Sequence, residues 1–348
     1  MNRIAINFKY FAVLSVCCML CGSTANAQNN DCLVELEIYS TPTTPATLRH
    51  QWLEALSEVQ ADRVSSKTTR KPKPSVEETS YAGSKVILVK GVIGNRKIKL
   101  PGKSFSITDK AGIKNYLQSL RADGAKTTLA DKKAFGLTSE QLVSVHSNFT
   151  GTLSNSTKDQ QSGRLLNRLL QSLPMTTNLS PSARAALRSD TTVTNEYQGL
   201  ATGTALSVEL RRHDLVLRPS PKQGRGVELE IVTTSQAPES WPTGWPTKAA
   251  PVTTFPKLFE VTALQLNNIQ LDSVLNAISR RLKIEFIVDP AAWGSKPVDL
   301  STVKVTYNKA RSSYSAAIGN VLNQSKPQLR YEIRLDENEQ AFIWITGN

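Results

Sequence analysis

The sequence predicts an α+β protein made of several small mixed strand-helix domains, and two observations carry that prediction. Apolar residues switch repeatedly between a period of two, which builds half-buried strands, and the i, i+3, i+4, i+7 spacing of an amphipathic helix. Over roughly the last ninety residues the switching runs strand, helix, strand, strand, helix and hairpin, a compact β-α-β-β-α-β-β unit. The 348 residues suffice for two or three domains with cores of their own.

Residues 1–27 read as a signal peptide. Arg3 and Lys9 precede an apolar run from Tyr10 to Leu20, and Ala25-Asn26-Ala27 gives a small-x-small cleavage pattern before Gln28. The run is shorter than the ~20 apolar residues of a spanning helix. Val16 and Leu20 precede Cys17 and Cys21 where a lipid-attachment signal favours a small residue. Export to the periplasm or the extracellular space is expected, leaving Cys32 as the one thiol of the mature chain. No other apolar run reaches membrane-spanning length, so the mature chain is expected to be soluble and to lack a transmembrane segment. Removing Arg3 and Lys9 from the 42 basic residues leaves 40 against 29 acidic ones, an excess of +11. That balance favours an acidic protein, an anionic polymer or a phospholipid surface as partner. Nucleic acid is not expected to meet an exported chain.

Residues 28–160 are read as an N-terminal α+β domain. Val34, Leu36 and Ile38 alternate with Glu35 and Glu37 as a strand, and Thr44-Pro45 opens a helix with Leu48, Trp52, Leu56 and Val59 on one stripe. Residues 63–74 carry five basic residues, two prolines and no acid, the composition of a solvated connection. Val86 to Ile93, Gly94-Asn95, and Ile98 with Leu100 compose a hairpin, which Phe105 and Ile107 extend. Asp109 can cap a helix bearing Ile113, Tyr116, Leu117 and Leu120, with Gly124 as its stop. Thr138 and Gln141 have capping-box spacing for a helix with Leu142, Val145, His146 and Phe149.

In residues 161–232, Leu165, Leu166, Leu169, Leu170 and Leu173 stripe one helix, and Ser180-Pro181 is a cap and first-turn pair. Thr204 is expected to cap a helix from Ala205 to Arg212, before a hairpin from Leu215 to Ile231. This order is either a divergent copy of the C-terminal unit or a chance match, because Met175 to Leu179 and helix formers stand where the C-terminal unit has a strand. Residues 233–257 hold five prolines and the Trp-Pro-Thr steps at Trp241 and Trp245. They are read as a semi-extended linker that keeps the last module apart. The tryptophans are either stacking platforms for a ligand or packing groups against a neighbouring domain.

In residues 258–348, Leu271, Val274, Leu275, Ile278 and Leu282 share a helix face. Ile284, Phe286 and Val288 form a strand up to Asp289-Pro290. After an excursion containing Trp293 and Gly294, Val303, Val305 and Tyr307 form another. Ser313 caps a helix with Tyr314, Ala317, Ile318, Val321 and Leu322, with Pro327 beyond its end. Leu329, Tyr331, Ile333 and Leu335 lead through Asp336-Glu337-Asn338-Glu339 into Ala341 to Ile345. This helix, strand and hairpin sequence resembles the short N-terminal domain shared by secretins and TonB-dependent receptors, over about a quarter of the chain. The resemblance implies a protein-contacting role in an envelope assembly. No secretin pore or receptor barrel is recognisable after the module.

Catalytic chemistry has no local motif. His50, His146 and His213 lack metal-ligand spacing, no Gly-x-Ser-x-Gly elbow occurs, and neither glycine-rich step fits a phosphate loop. No metal, cofactor or catalytic residue is assigned, and the chain is read as a non-enzyme. The binding candidates are Arg211 and Arg212, which with His213, Arg218, Lys222 and Arg225 form the densest basic cluster, and Trp241 and Trp245. Both arginines also fit a helix C-terminus neutralised by cations. The expected function is recognition or assembly at an envelope through the edge of a small sheet. The competing reading is an envelope hydrolase acting on an anionic polymer, with Glu54, Glu58, Asp109 and Asp123 among its available carboxylates.

Overall fold

The computed structural model describes residues 32–81, 83–94, 96–224, 226–290 and 299–347. The signal segment, Asn95, Arg225, Trp293 and Gly294 lie outside the described residues. The class is α+β, with several small mixed sheets. The chain divides into two compact units after Arg121, not near residue 160. The reason is the helix that the sequence places at the end of the first domain: its Val145 and Phe149 belong to the core of the second unit.

The first unit contains β1 (Leu33–Ser40), α1 (Ala46–Ser57), β2 (Arg63–Thr68), β3 (Ser75–Tyr81), β4 (Ser84–Ile93), β5 (Lys97–Leu100) and β6 (Lys103–Ser106). It also holds the start of α2 (Lys110–Leu129), which is broken at Gly124. β1 lies between β2 and β4 and is parallel to both. Val34, Leu36 and Ile38 on β1 and Trp52 and Leu56 on α1 are all buried. Residues 63–68, expected in a solvated loop, are strand β2 because they pair the open edge of β1, where Lys67 neutralises the buried Glu37.

The second unit opens with α3 (Ser139–Phe149), whose Thr138 and Gln141 form the expected capping box. Two lobes of like topology follow. The first, residues 152–233, contains α4 (Ser162–Gln171), β7 (Thr177–Leu179), α5 (Pro181–Ala186), α6 (Thr202–Arg211), β8 (Leu215–Lys222) and β9 (Gly226–Thr233). Between the lobes lie β10 (Trp245–Pro246) and α7 (Pro251–Thr254). The second lobe, residues 261–347, contains β11 (Val261–Gln270), α8 (Leu271–Leu282), β12 (Phe286–Val288), β13 (Lys304–Ser313), α9 (Tyr314–Leu322), β14 (Leu329–Leu335) and β15 (Ala341–Gly347).

Three strands of each lobe correspond. β7 is parallel to β9 with Leu179 opposite Ile231, and β12 is parallel to β15 with Val288 opposite Ile345. The antiparallel neighbours continue each row, Leu217 beside Ile231 and Tyr331 beside Ile345. Ahead of the helices, the bridges Thr152 to Ala201 and Gln161 to Thr192 match the ends of the β11-β13 ladder, Val261 to Ser313 and Gln270 to Lys304.

Alternation along β15 explains how the lobes stack. Ile343 and Ile345 face α8 and α9, in a core with Leu271, Ile278, Ile318 and Leu322. Phe342 and Trp344 face the opposite way and, with Ile287, join the core of the first lobe. Strands β12 and β15 are thus buried on both faces and shared by the lobes, while Arg330 and Glu332 leave the same face of β14 exposed. Helix α6 is buried throughout, from Thr202 to Leu210, as a helix with packing on all sides must be.

This stacking overturns the linker reading of residues 233–257. Trp241 is 6% exposed and lies in the first lobe's core beside Phe149, with a ring separation of 4.8 Å. The segment includes the helical turn α7, and its tryptophans bury apolar area in a core that includes residues of both lobes. It is a strap across the second unit.

Candidate functional site

The joint between the lobes is built from polar groups that the sequence scatters widely. Helix α6 starts at Thr202, and its N-cap residue is Ala201, which has no side chain to offer the first turn. The turn between β14 and β15 supplies one instead. Thr204 donates its N–H and its hydroxyl to Glu337 Oε2 at 3.1 and 2.8 Å, and Ala201 donates its N–H to Asp336 Oδ2 at 2.8 Å. Thr204 is therefore inside the helix and receives a cap; it does not provide the one expected of it. A Cβ at Gly203 would collide with Glu337 and stand 2.7 Å from Phe149, so the close approach of the turn requires glycine there. Trp241 Nε1 donates to Glu337 Oε1 at 2.8 Å. Burial raises the Glu337 carboxyl above its ordinary value, while the bonds from Trp241 and Thr204 pull the other way.

Two further ties hold the far side. Asn195 donates from Nδ2 to the Val288 carbonyl at 2.9 Å and accepts the Val288 N–H at 3.0 Å, which pairs the edge of β12 as a strand would. Arg211 donates from Nε and Nη2 to the two carboxylate oxygens of Asp289.

The predicted binding residues are brought to this joint, but their charges are matched. Arg212 pairs with the buried Glu209, Arg218 with Glu230 and Lys222 with Glu228. Arg211 and Trp241 line a cavity of about 320 Å³ with Ser207 and Arg334. Arg334 lies 4.7 Å over the Trp344 ring and donates to Glu332 and to Thr243. Trp245 pairs with Leu335, and its ring stands edge-on to Trp241 at 5.6 Å. Among the available carboxylates, Glu58 pairs with Lys110, Asp109 accepts the Gly112 N–H, and Asp123 accepts the Gly224 N–H.

One cluster has the residue types of a catalytic site. Ser162 Oγ lies 2.8 Å from His213 Nε2 and 2.6 Å from Glu209 Oε1. The single hydroxyl proton goes to the carboxylate, so His213 must donate from Nε2 to Ser162 and has no lone pair directed at it. Tyr197 donates to the other Glu209 oxygen at 2.7 Å, and Ser162 is fully buried. The arrangement ties α4 to α6. Burial lowers His213 from its ordinary value. Among the described residues no group of three His, Cys, Asp or Glu side chains is placed to hold a metal ion.

The open part of the second unit lies at β14. Asp336 N–H bonds to Gln340 O, so alternation turns the N–H and C=O of Tyr331 and Ile333 away from β15. β10 pairs with β14 at Arg334 and Leu335. Among the described residues no hydrogen bond is found to the outward backbone groups of Tyr331, while the pairing of Pro246 with Arg334 brings the end of β10 onto the Ile333 carbonyl. Beside them is a groove of about 590 Å³, lined by Pro246, Pro251, Val252, Phe259, Tyr331 and Ile333 among others. The sequence reading named a sheet edge without locating it. The signal was available in Tyr331, the one aromatic residue in the β14 alternation.

No family model matches the chain, and no curated protein and no solved structure matches it.

Proposed function

We propose that the chain is an exported contact protein of a cell-envelope assembly, and that it accepts an extended segment of a partner protein along the outer edge of β14. The carrying observation is the outward backbone N–H and C=O of Tyr331, left beyond the end of β10 and beside an apolar groove. An unpaired sheet edge is a template for another strand: main-chain bonds supply affinity and side-chain pockets supply selectivity. The signal pattern of residues 1–27 supports export. The β-α-β-β-α-β-β order of residues 261–347 is the one on which the resemblance to the secretin and TonB-receptor short domain rests, and it supports an envelope role.

The contact belongs to the second lobe as mounted on the first, because Phe342 and Trp344 are buried in the first lobe's core. The mature chain is therefore the right test object. A photo-reactive residue placed at Val252, which is 51% exposed in the groove, is expected to crosslink a defined envelope protein. The same residue at Tyr81, 78% exposed in the first unit, is the control. An adduct at Tyr81 and none at Val252 rules the reading out.

A further inference from the structure

The chain itself shows what fits such an edge. In the first lobe the outer edge of β8 is closed by the strap: Trp241 donates its N–H to the Leu217 carbonyl at 2.7 Å. Leu217 stands in the row Leu179, Ile231, Leu217, and its counterpart in the row Val288, Ile345, Tyr331 is Tyr331. The strap carries Trp-Pro-Thr twice, at Trp241 and Trp245. The first copy sits on Leu217. The second pairs with Leu335 and Arg334, past the position equivalent to Leu217, and so leaves Tyr331 open. Gly244, at φ +85, makes the turn between the two copies and passes so close to Phe342 that a Cβ would stand 2.5 Å from its ring. The open groove continues directly from this interface, since Pro246 both pairs with Arg334 and lines the groove.

The geometry points to a partner segment of the same chemistry as the strap: an extended stretch with an aromatic residue followed by proline, laid along Tyr331 and Ile333. This rests on the edge-binding reading above and names its occupant. An aromatic side chain suits the apolar groove between Val252, Phe259 and Tyr331. A proline next to it holds the peptide extended before binding and lowers the ordering cost. In Trp241 the N–H bonding Leu217 belongs to the aromatic residue, so the following proline loses no edge bond.

The test uses the mature chain and two synthetic peptides, Ser-Trp-Pro-Thr-Gly-Trp-Pro-Thr, the strap's own sequence from residue 240 to 247, and Ser-Val-Thr-Thr-Gly-Val-Thr-Thr. NMR titration is expected to move the Tyr331 and Ile333 amides with the first peptide, with at least tenfold weaker binding of the second. Val252→Asp, an exposed position, is expected to weaken the first peptide at least tenfold. Equal binding of both peptides at Tyr331 overturns the aromatic-proline inference and leaves the edge reading standing. Binding of neither overturns both. Shifts at Leu217 in place of Tyr331 mean exchange with the chain's own strap, and also overturn the inference.

Discussion

Glu337 caps a helix to which Thr204 belongs, across 133 residues of sequence. The equivalent helix of the second lobe, α9, is capped from within, with the Ala316 N–H donating to Ser313 Oγ. Ala201 stands where Ser313 does, at matching ends of the two bridge patterns. One lobe has a local cap, and the other is completed only when its neighbour is docked. Docking of the second lobe therefore supplies the acceptors that the first turn of α6 lacks in its own sequence.

Removing the cap should show that coupling. Glu337→Ala leaves the Thr204 N–H, the Thr204 hydroxyl and the Trp241 indole N–H buried without an acceptor. The cost expected is about 3 kcal/mol, the range for a buried hydrogen-bonded charge whose donors stay unpaired. Ser313→Ala should cost about 1 kcal/mol as an ordinary N-cap loss. In hydrogen exchange, Glu337→Ala is expected to unprotect amides in both α6 and β15, whereas Ser313→Ala unprotects α9 alone.

The same carboxyl gives a pH dependence of definite sign. Burial raises Glu337 above its ordinary 4.5, so between 4.5 and the raised value the folded chain holds more protons than the unfolded one. Stability contributed by this group then falls as pH rises through that window and stays at the lower level above it. Glu337→Gln does not titrate. The urea midpoint of the natural chain, followed by tryptophan emission, is expected to fall relative to that of Glu337→Gln from pH 4.5 upward. A difference independent of pH would contradict the assignment.

Much of this fold is legible locally, and the joint is not. The capping box at Thr138 and Gln141, the caps at Ser180 and Ser313, and the alternation in β14 and β15 each lie within a few residues of their partners. Thr204 was legible only as a cap donor, because the carboxylate it serves comes from a distant turn. Residues 63–68 have loop composition, and only the free edge of β1 makes them a strand. Trp241 and Trp245 announced burial but not what they would bury against. The basic cluster looked like a binding surface because its carboxylate partners Asp289, Glu230 and Glu228 sit on other strands and loops.

Asn195 provides a second test of the joint, separate from the cap. Its carboxamide is the sole side chain bonding both backbone groups of Val288 among the described residues. Asn195→Ala is expected to cost about 2 kcal/mol, from two hydrogen bonds at the usual net value each, and to speed exchange of the Val288 amide. Asn195→Asp keeps the acceptor for the Val288 N–H but places an oxygen against the Val288 carbonyl. Asn195→Asp should therefore be at least as destabilising as Asn195→Ala, an order opposite to that expected if Asn195 merely filled space.

His213 titrates against the trend set by Glu337. Burial lowers it from its ordinary 6.5, with Glu209 and Asp214 raising it and Arg212 lowering it further. Between the lowered value and 6.5 the unfolded chain binds the extra proton, so stability from this residue falls as pH drops below 6.5 and is fully present above it. The proton enters at the nitrogen not bonded to Ser162, since Nε2 already donates there. NMR titration of the ring should give a midpoint below 6.5. His213→Gln, which keeps a donor for Ser162 and never ionises, should remove the loss of stability between pH 6.5 and the folded midpoint. Ser162→Ala should leave the Glu209 carboxylate one donor short and lower stability by about 2 kcal/mol at pH 7.5, where His213 is neutral in both states.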